Sequence, residues 1–423
     1  MTKTTTSALR RVLPLAGAAA MAMLAAGSAQ GAALPGYGAD PNSATVSGIS
    51  SGGFQAVQMH VAFSALFKGA AIFAGGPFYC AEGTVGNATG RCMTSTSESN
   101  VPVSSLVTTT KNWATAGSID PVANLTNSKV YIWHGTSDST VKQAVGNALK
   151  TYYGNFVNSA NIVYKNNVAA QHAWVTWKSG SPIVACATGG APYISNCGVD
   201  PEQTFLQQFY GTLNAKATTL SGSFLQFDQN EFFTDNAATS HSMEATGWAY
   251  VPSACTTSGS NCRVHLSLHG CKQGYGTVGD QFVKLNGLNE WADTNKVIVL
   301  YPQAKADTLK GNPNGWWDWG GYDDANYAKK SGRQMAALKK MVDRVISVST
   351  GGGTNPPPVD PPPSGGTCFT ATNYAHVAAG RAHDSMGTAL ANGSNQSMGL
   401  DNLFYSTTLK QTGTNYYVIG TCN

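Results

Sequence analysis

The sequence predicts an α/β fold in which a mostly parallel sheet is flanked by helices and followed by a small C-terminal module. Short apolar runs typical of buried strands alternate with amphipathic segments between residues 34 and 348. A sizeable core is expected, because 42% of the 423 residues are hydrophobic. A Pro- and Gly-rich stretch, 349–367, separates this region from a short segment, 368–423. Its two runs of three prolines favour polyproline II, so we interpret 349–367 as a semi-rigid linker.

The strands and helices of the large region are predicted in chain order. The run SATVSG is predicted to be a short strand that ends at Ser50, and GFQAVQMHVAFSALF has the apolar spacing of a helix. The further predicted strands are GAAIFAGG, KVYIWHG, RVHLSLHG and KVIVLYPQ, and the further predicted helices are VKQAVGNALKTYYG, FVKLNGLNEWADTN and GRQMAALKKMVDRVIS. This alternation favours a parallel sheet, because a crossover helix returns the chain to the same end of the sheet.

The N-terminal residues 1–33 have the pattern of a secretory signal peptide. The basic residues Lys3, Arg10 and Arg11 precede the apolar run VLPLAGAAAMAMLAAG, and SAQGAA supplies small residues for cleavage after Gly31 or Ala33. The alternative is a membrane anchor, but the run is shorter than the roughly 20 residues of a span and no charged stop-transfer segment follows. We therefore predict a secreted, extracellular protein without a membrane partner.

The nine cysteines all lie beyond the predicted signal peptide, and in an exported protein most of them are expected to pair. Spacing suggests the pairs Cys80 with Cys92, Cys186 with Cys197, and Cys255 with Cys262. Cys368 and Cys422 bracket the last segment, where a disulfide would compensate for a small core. Cys271 is then the odd cysteine.

Charge and motif patterns exclude several function classes. Charged residues make up 11% of the chain and the net charge is +4, with no block of Lys or Arg. Nothing therefore indicates nucleic-acid binding, and such a surface suits a neutral, solid or sugary substrate. Neither metal-ligand motifs nor a G-x-G-x-x-G between a strand and a helix are present, so no metal or cofactor is predicted.

The segment Gly48-Ile49-Ser50-Ser51-Gly52 matches G-x-S-x-G, the nucleophile elbow of serine hydrolases. Small residues flank the serine there because the strand and helix backbones nearly touch. The predicted strand before Ser50 and helix after it supply the required context, whereas an ordinary Gly/Ser turn is the alternative. Ser50 is the candidate nucleophile, and the Ser51 amide at the helix start is a candidate oxyanion donor.

A serine nucleophile needs a base, which an acid in turn orients. Asp138 follows the predicted strand KVYIWHG, where the acid of such a triad is expected, and His172 lies in a loop further along the chain. His241 is the alternative base. His134 lies at the strand end itself, and we interpret it as structural.

The predicted strand RVHLSLHG is followed directly by Cys271, which gives the sequence His269-Gly270-Cys271. In esterases an HG motif after an early strand supplies the second oxyanion amide. Here this strand and its neighbours follow the whole triad instead of preceding the nucleophile. Circular permutation of an α/β-hydrolase explains that order, because permutation is tolerated where chain ends lie together at the surface.

The motifs GISSGGFQAVQMHVAFSALFKGAAIFAGGPFYC, YIWHGTSDSTV, HAW and LSLHGCKQG together resemble the extracellular polyhydroxybutyrate depolymerases, in particular those with the lipase box near the mature N-terminus. The resemblance implies hydrolysis of ester bonds in insoluble short-chain polyhydroxyalkanoates. It also implies Ser50 as nucleophile, Asp138 as acid, His172 as base, and the Ser51 and Cys271 amides as the oxyanion hole. Related esterases often carry a Cys at the place of Trp316, and its absence here supports an unpaired Cys271.

Two further features fit this resemblance. The segment 368–423 resembles a small polymer-binding domain of secreted depolymerases, and a folded appendage with another role is the alternative. In WWDW we predict Trp316, Trp317 and Trp319 as substrate-binding residues, with core packing as the alternative.

Two other functions are compatible with the amino-acid sequence. A carbohydrate esterase of the feruloyl or acetyl-xylan type would share the fold and triad. A catalytically inactive adhesion protein is the second alternative, although the complete set of catalytic motifs argues against it. A monomer is expected.

Overall fold

The structure is a computed structural model that describes residues 1–2, 31–257, 260–348, 367–385, 388–392, 394, 396–413 and 416–420. The predicted signal peptide, except for its first two and last three residues, lies outside the described residues, as does the predicted linker except for Thr367.

Within the described residues the strands are β1 Thr45–Ile49, β2 Gly69–Phe73, β3 Lys129–Trp133, β4 Ile162–Lys165, β5 Trp174–Thr176, β6 Val184–Ala185, β7 Ile194–Asn196, β8 Ser223–Asp228, β9 Thr246–Val251, β10 Arg263–Leu268, β11 Val297–Tyr301, β12 Cys368–Thr372, β13 Ala382–Ser385, β14 Thr388–Ala391, β15 Ser397–Leu400, β16 Ser406–Gly413 and β17 Tyr416–Ile419. The helices are α1 Ser51–Ala62, α2 Val85–Thr89, α3 Val103–Thr115, α4 Gln143–Tyr153, α5 Pro201–Tyr210, α6 Tyr275–Val278, α7 Gln281–Leu285, α8 Leu288–Thr294, α9 Arg333–Ile346 and α10 Asn373–Ala378. Short 3-10 turns lie at Glu98–Asn100, Val122–Leu125, Ser159–Asn161, Asn230–Phe232, Ala238–His241, Ser253–Cys255 and Thr308–Lys310.

An eight-stranded sheet forms the centre of the large region, in the order β4-β3-β2-β1-β10-β11-β9-β8. The pairs from β4 through β11 are parallel, and β9 and β8 add an antiparallel edge. The central strands β1, β2 and β11 are buried along their whole length, which explains their continuous apolar sequences. The predicted fold class, a mostly parallel sheet flanked by helices, is confirmed.

The pairing of β1 with β10 decides where the site forms. Thr45 lies opposite His265 and Gly48 lies opposite Leu268, so the two strands end side by side. The corner at 269–271 is thereby brought next to Ser50, although the strands lie 220 residues apart in sequence. The evolutionary explanation, a circular permutation, stays a prediction.

His265 helps to hold β1 and β10 together. Its Nδ1 lies 2.7 Å from Thr45 Oγ1 and its Nε2 lies 2.7 Å from Ser47 Oγ, and the ring stacks on Phe205. Complete burial lowers the pKa of His265 to about 3, so the imidazole is neutral and one hydroxyl accepts while the other donates.

The predicted helix FVKLNGLNEWADTN is divided into α7 and α8 because Gly287 adopts a φ of 83°. Its carbonyl accepts a hydrogen bond from Trp177 Nε1, and a Cβ at this position would lie 2.3 Å from Thr176 Oγ1. The break therefore lets the chain approach the segment after His172 closely.

Three disulfides confirm the predicted pairs Cys80–Cys92, Cys186–Cys197 and Cys255–Cys262. Among the cysteines of the described residues Cys271 alone is free, also as predicted. Cys368 is disulfide-bonded, and its predicted partner Cys422 lies outside the described residues.

The C-terminal segment forms two three-stranded antiparallel sheets, β12-β16-β17 and β13-β14-β15. It has its own small hydrophobic cluster, whose buried members are Ala382, Ala389, Ala391, Met398, Leu409 and Tyr417. The assignment of 34–348 and 368–423 as separate domains stays a prediction.

The described range that begins at residue 31 contacts the sheet edge. Ala32 pairs with Phe227 of β8, and its carbonyl accepts a hydrogen bond of 2.8 Å from the Asp228 amide. Cleavage after Gly31 would keep this contact, whereas cleavage after Ala33 would remove it. In the part of the chain that the structure describes, no helix is both long and apolar enough to span a bilayer.

Candidate active site

Ser50 occupies the turn between β1 and α1 in a strained backbone conformation. Its φ of 57° and ψ of −125° are unfavourable for a residue with a Cβ, and its amide donates to the Phe73 carbonyl at 2.9 Å. Such a turn presents the serine hydroxyl at the carboxyl edge of the sheet, where α1 begins at Ser51. The geometry is that of a nucleophile elbow.

The glycines around Ser50 are required by close backbone contacts. A Cβ on Gly48 would lie 2.1 Å from the Gly52 carbonyl oxygen, and a Cβ on Gly52 would lie 2.3 Å from the His269 carbonyl oxygen. Any larger residue would push α1 away from β1 and β10. The G-x-S-x-G pattern is therefore explained by packing in this structure.

Asp138 lies after β3 and is oriented by its own loop. Its Oδ1 accepts hydrogen bonds of 2.9 Å from the amides of Thr140 and Val141, and its Oδ2 lies 2.8 Å from His172 Nδ1. Burial raises the pKa of Asp138, but the hydrogen bond and charge of His172 outweigh this effect, with His134 contributing, so the net pKa is lowered. The carboxylate is ionised and faces the imidazole.

His172 has the tautomer that a general base requires. An ionised carboxylate only accepts hydrogen bonds, so Nδ1 carries the proton that points to Asp138 and Nε2 keeps its lone pair. The side chain is 13% exposed and lines the same cavity as Ser50. The hydrogen bond from the Gln171 amide to the Cys186 carbonyl, 2.9 Å, anchors this loop beside the Cys186–Cys197 disulfide.

The other two histidines singled out in the sequence have different surroundings. His134 is fully buried, and its Nε2 donates to the Val141 carbonyl at 2.7 Å, which supports the predicted structural role. His241 lies between two carboxylates, with Nε2 2.8 Å from Asp235 Oδ2 and Nδ1 3.1 Å from Asp323 Oδ2. It lines a separate cavity that does not include Ser50, so the structure favours His172 as the base.

The 269–271 corner reaches the nucleophile. A Cβ on Gly270 would lie 3.3 Å from Ser50 Cβ, and the Cys271 thiol lies close to Ser50 and Ser51. Burial raises the pKa of the Cys271 thiol to about 11 despite these groups, so the thiol is neutral. Ser51 and Cys271 therefore lie close to Ser50, and the role of their amides as an oxyanion hole stays a prediction.

The three predicted tryptophans have two different roles. Trp316 is half-buried and lines the cavity, and Trp319 lines it while stacking on Phe54 with ring centroids 4.1 Å apart. Trp317 is fully buried and its Nε1 donates to the His269 carbonyl at 2.8 Å. The structure does not bring Trp317 into the cavity, and we correct its role from substrate binding to support of the corner.

The cavity encloses about 210 Å³ and is lined partly by residues that the sequence did not identify. These residues are Met93, Thr140, Val141, Tyr193, Lys272, Gln273 and Asn314. Thr140 and Val141 follow Asp138, and Asn314 precedes Trp316. Their proximity in sequence to these motif residues could have identified them as candidates. Nothing in the sequence marks Met93 or Tyr193. Among the described residues no cluster of His, Cys, Asp and Glu is arranged to hold a metal ion.

A nucleophile elbow, an aspartate–histidine pair and the adjoining 269–271 corner on this sheet define the class of the protein, which is an α/β-hydrolase. No family model matches the chain. A poly(3-hydroxybutyrate) depolymerase of Delftia acidovorans is 46% identical over an alignment 499 positions long, which covers 96% of this chain and 98% of the relative. The chain belongs to the poly(3-hydroxybutyrate) depolymerase family.

Two further comparisons agree with this assignment. A polyhydroxybutyrate depolymerase of Talaromyces funiculosus is 41% identical over 341 residues, covering 77% of this chain and 96% of the relative. A solved structure of a PHB depolymerase variant complexed with an R3HB trimer has a TM-score of 0.68 and 40% identity, covering 74% of this chain and 98% of that one.

Proposed function

We propose that this chain is a secreted serine esterase that hydrolyses the ester bonds of poly(3-hydroxybutyrate), releasing 3-hydroxybutyrate and short oligomers. The single observation that carries the proposal is that Ser50, Cys271 and His172, whose Nδ1 contacts Asp138, line one cavity. The relatives with matching sequence over most of the chain are named as depolymerases of this polymer.

In the first step Ser50 Oγ attacks the ester carbonyl carbon while His172 Nε2 takes the hydroxyl proton. The new C–O bond forms as the carbonyl π electrons move to oxygen, and the Ser51 and Cys271 amides stabilise this oxyanion. Asp138 stabilises the imidazolium and keeps its orientation. His172 then gives its proton to the leaving alkoxide of the polymer chain, and a 3-hydroxyacyl ester remains on Ser50.

In the second step water replaces the shortened polymer. His172 removes a proton from the water molecule as its oxygen attacks the acyl carbon, and the same two amides stabilise the second oxyanion. Collapse of this intermediate breaks the bond to Ser50 Oγ, which recovers its proton from His172. The carboxylic acid product leaves, and the site returns to its starting protonation state.

The proposed extracellular location agrees with the three disulfides, which persist in oxidising compartments. An insoluble substrate cannot diffuse to the enzyme, so the enzyme has to work at the polymer surface. The half-buried Trp316 at the cavity is suited to contact methyl-bearing chain units there.

We further propose that the C-terminal segment adsorbs to the polymer. It exposes a run of apolar side chains, of which Leu403 is 65% exposed, Phe404 92% and Tyr405 56%. Tyr374 lies on the same part of the segment, because its amide donates to the Asn402 carbonyl at 3.2 Å, and it is 54% exposed. Contiguous exposed apolar groups mark interaction surfaces, and surface capture raises the local enzyme concentration.

Replacing Leu403 and Phe404 together by alanine is expected to weaken adsorption to polymer granules by at least about tenfold, since one buried large apolar side chain contributes about 1.5–3 kcal/mol. Hydrolysis of a soluble ester should not change. Sedimentation of granules followed by measurement of protein left in solution tests the adsorption. Val199→Ala, an exposed apolar residue of the large region, is the control. Unchanged adsorption of the double variant would reject this surface.

The substrate is tested by offering opaque poly(3-hydroxybutyrate) granules and a feruloylated sugar to the wild-type enzyme in parallel. We expect the granule suspension to clear with release of soluble 3-hydroxybutyrate, because the site belongs to a family that acts on this polyester. Cleavage of the feruloyl ester with intact granules would assign the chain to carbohydrate esterases instead.

A further inference from the structure

We propose that Gln273 is a positioning residue that fixes the Cys271 amide as the second oxyanion donor. Gln273 lies two residues after Cys271 and is only 1% exposed. The inference deepens the proposed function and rests on it, since it concerns the same ester hydrolysis. In this proposal the buried side chain of Gln273 holds the turn that contains the Cys271 amide.

The Gln273 side chain connects two segments of the cavity wall. Its Oε1 accepts a hydrogen bond of 2.8 Å from the Gly270 amide, one residue before Cys271. Its Nε2 donates to the carbonyls of Pro192 and Tyr193, at 3.1 and 2.9 Å. Because an amide N–H only donates and a carbonyl only accepts, this orientation of the side chain is the one that satisfies all three groups.

The backbone groups on either side of Cys271 have hydrogen-bond partners within the protein, whereas the Cys271 amide remains for the substrate. Lys272, with a φ of 55°, donates its amide to the Asn314 carbonyl at 2.8 Å. The His269 carbonyl accepts from Trp317 Nε1. Within the described residues, the Cys271 amide donates to no backbone carbonyl. Gly270 is therefore held by Gln273 and Lys272 by Asn314, and Cys271, which lines the cavity, lies between these two anchored residues.

The Gln273 side chain also contacts a second lining segment of the cavity, the one that contains Tyr193. Tyr193 lines the cavity and has a φ of 58°, a strained conformation for this residue type. Strain of this kind persists only where surrounding contacts impose it, and the Gln273 amide supplies one of them through the Tyr193 carbonyl. Loss of the side chain would therefore release the oxyanion turn and the Tyr193 segment together.

A methionine at position 273 keeps the length of the side chain, but its sulfur accepts only weakly from Gly270 and it cannot donate to the two carbonyls. A displacement of about 1 Å at a catalytic group costs roughly 100-fold in rate, so we expect Gln273→Met to lower kcat by about 10- to 100-fold. KM for a small soluble ester, such as p-nitrophenyl butyrate, should stay within about threefold, because the donor acts mainly on the transition state.

Gln229→Met is the matched control. Gln229 is also fully buried, accepts one amide, from Gln303, and donates to two carbonyls, those of Glu244 and Gln303. It does not line the cavity. Its replacement should lower the melting temperature about as much as Gln273→Met, while kcat stays at the wild-type value below the unfolding transition.

Gln273→Glu gives a second readout. An ionised glutamate at this position repels the two carbonyl oxygens, whereas the protonated acid donates to one of them and still accepts from Gly270. Burial raises the pKa of a carboxyl group, so the ratio of variant to wild-type kcat should rise as the pH falls from about 8 to about 5. Any pH dependence that is common to both enzymes cancels in this ratio, and the ratio for Gln273→Met should stay flat.

Wild-type kcat in Gln273→Met, or an equal loss of kcat in Gln229→Met, would overturn the inference. A flat pH ratio for Gln273→Glu would overturn it as well. Failure of the proposed function looks different, because the wild-type enzyme itself would then leave both the soluble ester and the polymer intact.

Discussion

Ser50→Ala is expected to lower kcat on a soluble ester by about 10⁶-fold, the scale of loss found when the nucleophile of a serine hydrolase is removed. Alanine keeps the elbow, because it adds no atoms to the contacts that Ser50 makes. It removes the oxygen that attacks the carbonyl, and water held by the oxyanion hole replaces it only poorly. Release of coloured alcohol from the ester and of 3-hydroxybutyrate from granules measures the effect.

The matched control for this substitution is Ser105→Ala, which removes an exposed hydroxyl in α3. This variant should retain wild-type kcat. Both variants should also retain the wild-type melting temperature within a few degrees and adsorb equally to granules. Labelling with a fluorophosphonate should occur in the wild type and in Ser105→Ala but not in Ser50→Ala. More than about 1% residual kcat in Ser50→Ala would contradict the assignment of the nucleophile.

His172→Ala is expected to lower kcat by a similar factor, about 10⁶, because the serine and its base act as one unit. Without the imidazole no group takes the proton from Ser50, and Asp138 loses the partner that its Oδ2 contacts at 2.8 Å. The same assays on the soluble ester and on granules measure this loss.

His241→Ala separates the two candidate bases. His241 contacts Asp235 and Asp323, and its loss leaves the largely buried Asp323 carboxylate with fewer partners. We expect a lower melting temperature with nearly unchanged kcat, since this ring lines a cavity without Ser50. Full activity in His172→Ala combined with inactivity in His241→Ala would reverse the assignment of the base.

Local sequence signals were sufficient to predict the elbow at Ser50 and three of the disulfides. The elbow needs glycines at fixed positions because strand and helix backbones meet there, so Gly48 and Gly52 leave a readable pattern. The paired cysteines are separated by 12, 11 and 7 residues, and each pair therefore closes a short loop of the chain. The contact between Asp138 and His172 could be predicted because Asp138 follows a strand end, a position that hydrophobic patterning identifies.

Long-range packing decided what the sequence could not reveal. Trp317 and Trp316 are adjacent and chemically identical, yet only the structure shows that one is buried against the His269 carbonyl and the other lines the cavity. Gln273 Nε2 donates hydrogen bonds to the carbonyls of Pro192 and Tyr193, which precede it by 81 and 80 residues. Such a contact has no local periodicity or motif, so composition and spacing contain no trace of it.

The β1–β10 pairing also has a consequence for biosynthesis. β1, which ends before Ser50, pairs with β10, and the two strands are 220 residues apart. The ribosome must therefore complete β10 and the 269–271 corner before β1 can form this pair. Closing so long a loop is entropically costly and slows folding of sheets with distant partners. Every shorter nascent chain therefore lacks the 269–271 corner beside Ser50, so under the proposed mechanism we expect esterase activity to begin only after β10 has joined the sheet.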